Sequence, residues 1–210
     1  MAVRYLGAEV QRMEDPRLLT GHGRYVDDIT MEGMLHAAFL RAPMAHAKIR
    51  SIDPSRALAL PGVHRVITHA DLGAKYSHRM NQLYPAPVIE QNKTQYPLAK
   101  DEVCYVGEAV AVVVADSRAI AEDALALIDV DYEALPAVVN IMTALEDDAP
   151  LAHADTTSNL MGKMRSSFGD IEDSFAKADH VFSAAFMQHR GGCHSMETRG
   201  VIARDDPWGD

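Results

Sequence analysis

The chain has 210 residues, enough for one substantial core or for one complete domain and a piece of another. Its 20 Lys and Arg against 30 Asp and Glu leave a formal charge of -10, which repels phosphate backbones and anionic headgroups and excludes nucleic acid as a partner. Cys104 and Cys193 stand far apart in no CxxC pair, which excludes a disulfide framework or zinc ribbon and fits a reducing cytoplasm; Arg4, Glu9, Arg12 and Glu14 break up the N-terminus, and no stretch approaches the ~20 apolar residues of a membrane span.

Residues 1–34 read as irregular. Gly21 and Gly23 lack both a third glycine and a preceding apolar strand, so they mark a tight turn rather than a dinucleotide loop. Residues 35–40 and 46–52 read as strands around a break at Ala42-Pro43, with Lys48 and Arg50 facing away from Ala47 and Ile49. Asp53-Pro54 supplies a cap and a first-turn proline for a short helix over 55–60, ended by Pro61-Gly62, and 63–68 follows as a strand. Residues 73–100, rich in Tyr, Gln, Asn and Pro, form a long excursion that reads first as plain irregular surface, although loops of that length often touch a ligand or partner.

The centre of the sequence is 105–133. The run from Ala109 to Ala115 has no polar position and is rich in valine, which predicts a core strand covered on both faces. Asp116 and Ser117 can cap a helix whose Ile120, Ala124, Leu127 and Ile128 share one face while Arg118, Glu122 and Asp123 meet water. Residues 129–133 then alternate like a half-exposed strand. The whole reads as β-α-β, with a right-handed crossover if the strands are parallel neighbours.

Residues 141–145 are a short helical candidate, and 146–159 have the composition of a linker. A helix is expected from Gly169-Asp170 to Ala178, and strands over 180–190 and 197–204. The turn formers Asp205-Asp206-Pro207-Trp208-Gly209-Asp210 end the chain before any returning strand, so the second domain is expected to be incomplete.

The densest reactive group is His189 to Gly200. His189, Cys193, His194 and Glu197 match no standard metal spacing, and adjacent Cys193 and His194 would point to opposite faces of a strand, which argues against both a zinc site and a Cys-His nucleophile pair. His22, His36, His46, His64, His69, His78, His153 and His180 are scattered and read as surface or structural histidines. The pairs Asp27-Asp28, Asp147-Asp148 and Asp205-Asp206 read as solvated turns. Glu108, beside Gly107 at the head of the core strand, is placed to accept loop N–H groups.

The motifs Arg12-Met13-Glu14-Asp15-Pro16-Arg17-Leu18-Leu19-Thr20-Gly21, Gly23-Arg24-Tyr25-Val26-Asp27-Asp28-Ile29, Arg41-Ala42-Pro43-Met44-Ala45-His46-Ala47 and Tyr105-Val106-Gly107-Glu108, in this order, resemble the start of the molybdopterin-binding large subunit of the xanthine dehydrogenase, aldehyde oxidase and carbon monoxide dehydrogenase family. Ala109 stands where the family usually has proline, and Met44 where it often has histidine. The resemblance implies an α+β fold: an α/β hammerhead domain over 1–150, a mixed sheet with packed helices, then a linker over 151–164. Residues 165–210 would be the opening piece of the molybdenum-cofactor domain, where His194-Ser195-Met196-Glu197-Thr198-Arg199-Gly200 resembles its first motif.

It further implies a scaffold portion of a molybdenum-dependent hydroxylase or dehydrogenase of aldehydes, N-heterocycles or carbon monoxide, inactive by itself. No catalytic, cofactor-binding or metal residue is expected in this chain. The molybdenum-molybdopterin would be held by the rest of the large subunit, with iron–sulfur and FAD on partner subunits. A stand-alone, non-catalytic protein-binding module derived from that family is the alternative.

Overall fold

The computed structural model describes residues 7, 9–81, 88–91, 93–189, 191–192, 194–195 and 197–205. Residues 206–210 of the expected final turn, together with Arg190, Cys193 and Met196, lie outside them. Two compact units result: one spans Leu35–Ala176, and the other joins the described residues before 35 to those after 176.

The larger unit holds two three-stranded sheets. In the first, β5 (Ala109–Ala115) lies between β1 (His36–Arg41) and β3 (Val63–Thr68), antiparallel to both. In the second, β2 (Ala47–Asp53) lies between β4 (Glu102–Val103) and β6 (Asp129–Ala134), again antiparallel. The apolar run is therefore the central strand, as its composition predicts. Its expected parallel partner is not its neighbour: β6 belongs to the other sheet, so among the described residues there is no parallel pair and no crossover between paired strands. The two β-α-β passages, β2 to β3 and β5 to β6, each begin in one sheet and end in the other.

Helix α3 (Arg118–Leu125) starts where Ser117 Oγ accepts the Ile120 N–H at 3.3 Å, and its Arg118 and Glu122 pair on the exposed face at 2.8 Å. It presents Ala121 and Ala124 to Ala111, Val113 and Ala115 of β5, all fully buried, with Ile128, Ala38, Val66 and Ala57 around them. Alanine on both sides lets helix and sheet approach closely. The short helix α2 (Ser55–Leu58) follows Pro54 at its N-cap, and Asp53 Oδ1 accepts the Ser55 N–H at 2.9 Å; its exit turn needs Gly62, where φ is 87° and a Cβ would sit 2.9 Å from Ile120 Cδ1.

The opposite face of β5 is only partly covered. Val110 is buried with Ala42, Ala47, Ala99 and Val103, whereas Val112 and Val114 are half-exposed, and Phe39, paired across from Val112, is 45% exposed. The expectation of a strand covered on both faces is thus corrected to one dry face and one mixed face. The reason is that helices pack on only one side of this sheet.

The remaining departures have local causes. Residues 15–19 form a short helix, α1, with Pro16 in its first turn, within the stretch expected to be irregular. Residues 141–145 are turns, with the Asn140 side chain accepting the Met142 N–H, instead of a helix. Residues 151–164, read as linker, are pinned to the excursion: Gly162 bridges Ile89, Lys163 N–H donates to Val88 O at 3.0 Å, and Gln91 Nε2 donates to Leu160 O at 2.9 Å. Asn159 closes this arrangement by accepting the Ala152 N–H and donating to Ala144 O and Pro150 O, each at 2.8 Å. Polar side chains that look like linker composition here serve as hydrogen-bond fasteners.

Helix α4 (Ile171–Lys177) forms where expected, with Asp170 Oδ1 accepting the Asp173 N–H at 2.9 Å. The strands expected over 180–190 and 197–204 are not formed among the described residues: residues 180–189 are exposed and join neither sheet, and in the later stretch Glu197 Oε1 accepts the Val26 N–H at 2.7 Å. A strand exists only where a neighbour completes its hydrogen bonds. No helix among the described residues is long and apolar enough to cross a membrane.

Val113→Asp should unfold the larger unit, because an unpaired carboxylate on the dry face of β5 costs several kcal/mol against a domain stability of ~5–15 kcal/mol. Val112→Asp, on the mixed face, should lower the melting midpoint by less. Thermal melts of the two variants beside the parent check the order; equal effects would refute the assignment of faces.

Candidate functional site

A cleft of about 440 Å³ opens between the start of β4, the excursion and the pinned segment, with Arg79, Lys93, Glu102, Cys104, His153 and Asp155 among its lining. Glu102 and Cys104 reach it from one side of an extended stretch, two residues apart. His153 and Asp155 arrive from the segment that Asn159 and Gln91 fasten. His46, just before β2, is the one buried histidine among the described residues and lies behind Glu102.

The contacts are close. His46 Nδ1 lies 2.8 Å from Pro136 O and its Nε2 3.4 Å from Glu102 Oε2. Glu102 Oε2 also accepts the Ala154 N–H at 3.1 Å, and Glu102 Oε1 stands 3.8 Å from His153 Nδ1. His153 Nδ1 is 3.2 Å from Cys104 Sγ. Asp155 is held by Lys93 Nζ at 2.6 Å and Arg79 at 3.5 Å; the Arg79 guanidinium also donates to Thr94 O at 2.8 Å and covers the Tyr96 ring at 4.7 Å. Two groups bring potential ligand atoms within 4.8 Å of one another: His46, Glu102 and Cys104, and Glu102, His153 and Asp155.

Electrostatics decide what these groups can do. Burial, with Glu102 and Glu108 adding negative charge, pushes the Cys104 thiol up to about 12. Burial also lowers His153 below the ordinary histidine range, against the upward pull of Glu102. Thiol and imidazole therefore meet as neutral groups, which is the wrong state for a Cys-His nucleophile. The hydrogen bond and charge of Lys93 hold Asp155 below the usual carboxylate range.

Glu108 behaves as its position predicts. It is buried, and its Oε2 accepts the Cys104 N–H at 2.6 Å, while Gly107 N–H donates to Ala42 O at 2.8 Å and Arg41 donates to Gly107 O at 2.9 Å. Burial raises its carboxyl above the ordinary glutamate range, against the lowering effect of that N–H. Its work is to close the loop that leads into β5.

The residues from 189 to 200 are not assembled into a site. Cys193 lies outside the described residues, His189, His194 and Ser195 are exposed, and Glu197 is committed to Val26 N–H. The described ones form no cradle for a pterin or metal, and no chemical step is derived through one. Of the scattered histidines, His64 meets Asp116 at 2.6 Å on the surface and His69 meets Ser77 O at 3.1 Å. Local spacing could not reveal that His46 and His153 converge on Glu102 and Cys104; the available signal was Glu102 and Cys104 at i and i+2 of an extended stretch, which puts both on one face.

The model of the aldehyde oxidase and xanthine dehydrogenase α/β hammerhead domain matches residues 20–136, more than half of the chain. The chain belongs to that family. The nicotine 6-hydroxylase large subunit of Paenarthrobacter nicotinovorans is 44% identical over 203 residues, covering 97% of this chain and 24% of its own length. The carbon monoxide dehydrogenase large chain of Afipia carboxidovorans is 39% identical over 214 residues, covering 96% and 26%. Among solved structures, a Cu,Mo-CO dehydrogenase in its carbon monoxide-reduced state superposes with a TM-score of 0.65 at 39% identity, over 82% of this chain and 22% of that one. The chain thus spans about a quarter of the length of the curated relatives it matches. In the hammerhead family frame, residues 20–136 contain all six described strands and the Gly107-Glu108 loop.

Glu108→Ala should cost ~1–3 kcal/mol by leaving the Cys104 N–H without an acceptor, whereas Glu108→Gln keeps one. The pH dependence has a definite sign. A carboxyl raised by folding stabilises below its unfolded value, and that contribution is lost as pH rises through the raised folded value. Glu108→Gln should therefore gain on the parent over that rise; urea melts across a pH series check both points, and a parent that gains instead would reverse the assignment.

Proposed function

We propose that this chain is the N-terminal scaffold of a molybdenum-dependent hydroxylase or dehydrogenase acting on an aldehyde, an N-heterocycle or carbon monoxide. In this reading the six-stranded unit is its hammerhead domain and residues 165–210 begin its molybdenum-cofactor domain. The rest of the large subunit carries the molybdopterin, and iron–sulfur and flavin subunits take the electrons, in the cytoplasm. No residue of this chain is assigned a catalytic role or a pterin contact.

The observation that carries the reading is the family match over 20–136 combined with the apolar surface exposed beyond it. Residues 164–189 expose Phe168 at 94%, Phe182 at 91% and Phe186 at 93%, the last two in a run that joins neither sheet. Side chains of that size are rarely left in water together unless a surface elsewhere receives them. The missing surface, in this reading, is the remainder of the large subunit.

Two outcomes test it. The purified chain should carry no stoichiometric molybdenum or flavin; elemental analysis near one molybdenum per chain would overturn the assignment of the cofactor to other polypeptides. Hydrogen exchange should show residues 180–189 unprotected in the chain alone and protected once a complementary large-subunit fragment is added. If those residues are as protected in isolation as Val110 to Val113, the chain is self-sufficient and the reading as a stand-alone module takes its place.

A further inference from the structure

We infer that the turn at residues 25–28 and the motif from Ser195 to Gly200 form a clasp, in which Glu197 and Gly200 are the positioning residues that seat the motif on the turn. Its functional meaning rests on the reading of 165–210 as the opening of a cofactor domain; the clasp itself stands on contacts within the chain.

Both halves belong to the smaller compact unit, which joins described residues before 35 to those after 176. The turn is built by its own residues. Tyr25 N–H donates to Asp28 Oδ2 at 2.9 Å, Asp28 N–H to Tyr25 O at 3.0 Å and Ile29 N–H to Val26 O at 3.1 Å. The first residue of such a turn has no acceptor inside it for its own N–H. Val26 is that residue, and its N–H meets Glu197 Oε1 at 2.7 Å, across 171 positions of sequence. Asp27 and Asp28 stand in the same turn, so the incoming carboxylate approaches two like charges, and the amide is what holds it. An N–H bond to a carboxylate is roughly twice as strong as one to a neutral acceptor.

A second contact fixes the register. Gly200 comes so close to Val26 that a Cβ on it would lie 3.0 Å from Val26 Cγ1 and 3.1 Å from Val26 Cβ. A residue without a side chain fits there without pushing the turn aside. Just before them, Ser195 Oγ donates to Glu197 O at 2.6 Å and bends the chain locally. One hydrogen bond could be made in several registers; a carboxylate and a missing side chain three positions apart, both set against Val26, select one. The turn lies in the motif 23–29 and its seat in the motif 194–200, so in the proposed large subunit the N-terminal segment fixes the stretch with which the cofactor domain opens.

The test uses the full chain, with amide exchange, amide shifts and backbone order parameters read by NMR. Residues 197–200 of the parent should be ordered, with values near about 0.85. Val26→Pro deletes the donor alone, because Tyr25 is already extended (φ -109°, ψ 171°) and the first position of the turn accepts proline; the order parameters of 197–200 should then fall below about 0.6. Glu197→Ala should have the same effect and speed exchange of the Val26 amide at least about tenfold, whereas Glu197→Gln keeps an acceptor and should restore both the slow exchange and the shift of that amide. Combining Val26→Pro with Glu197→Ala should loosen the motif no further than either alone, since both break one contact. Gly200→Ala should loosen it as well, and Val26→Ala should relieve that effect in part. Unchanged exchange at Val110 to Val113 shows in each variant that the larger unit is intact. Mobile residues 197–200 in the parent, or order parameters that Val26→Pro and Glu197→Ala leave unchanged, overturn the clasp. None of these readings depends on molybdenum, so the clasp can fail while the family reading stands, and a chain that carries its own molybdenum would overturn that reading with the clasp intact.

Discussion

The contact on which the larger unit depends is the packing of α3 against the dry face of β5, alanine against alanine and valine. Ala111, Val113 and Ala115 meet Ala121 and Ala124 with no exposed surface left on any of them. Small side chains bring the helix axis close to the sheet, so any added bulk must displace backbone as well as side chains. The same closeness explains Gly62, whose absent Cβ makes room for Ile120 on the inner side of α3. Two loops then inherit their positions from β5: the Gly107-Glu108 turn at its head and Asp116-Ser117 at its end, where Asp116 N–H donates to Gly62 O at 2.9 Å.

Much of this was legible because it is local. The valine run, the serine cap and the alternation of 129–133 each announce one element through the chain's own period, and β5 and β6 fall where those periods put them, while α3 starts at its cap but ends at Leu125, short of the Leu127 and Ile128 expected on its face. What the periods cannot carry is which strand lies beside which. β5 and β6 flank one helix yet enter different sheets, because the partners that claim them, β1 and β3 for one and β2 for the other, lie far away in sequence. The half-open face of β5 follows from the same cause: seven apolar positions read alike whether one or two of their sides are covered.

The cleft was less legible than the fold for a related reason. Its side chains sit at 79, 93, 102–104 and 153–155, with His46 behind Glu102, and their meeting depends on a segment whose Asp, Pro, Ser and Asn content is that of a linker. Composition records that such residues can form hydrogen bonds with water; it does not record that Asn159 instead satisfies three backbone groups of its own chain. Glu108 was legible because its role is local, an acid four residues from the N–H it accepts.

The stretch after α4 separates propensity from structure most clearly. Residues 180–189 alternate and carry Val181, Phe182, Phe186 and Met187, a composition that favours a pleated surface, yet they join no ladder. Strand propensity is a statement about fitting beside neighbours, and a backbone N–H or C=O gains nothing from extension until another strand or water takes it. An alternating sequence therefore specifies half of a sheet and leaves the other half to whatever supplies the edge. The contrast with β5 is instructive: there β1 and β3 fall within the same unit and the strand is complete, whereas here the described chain offers no neighbour in register. The relatives that this chain matches are several times longer than these residues and have the length to supply one.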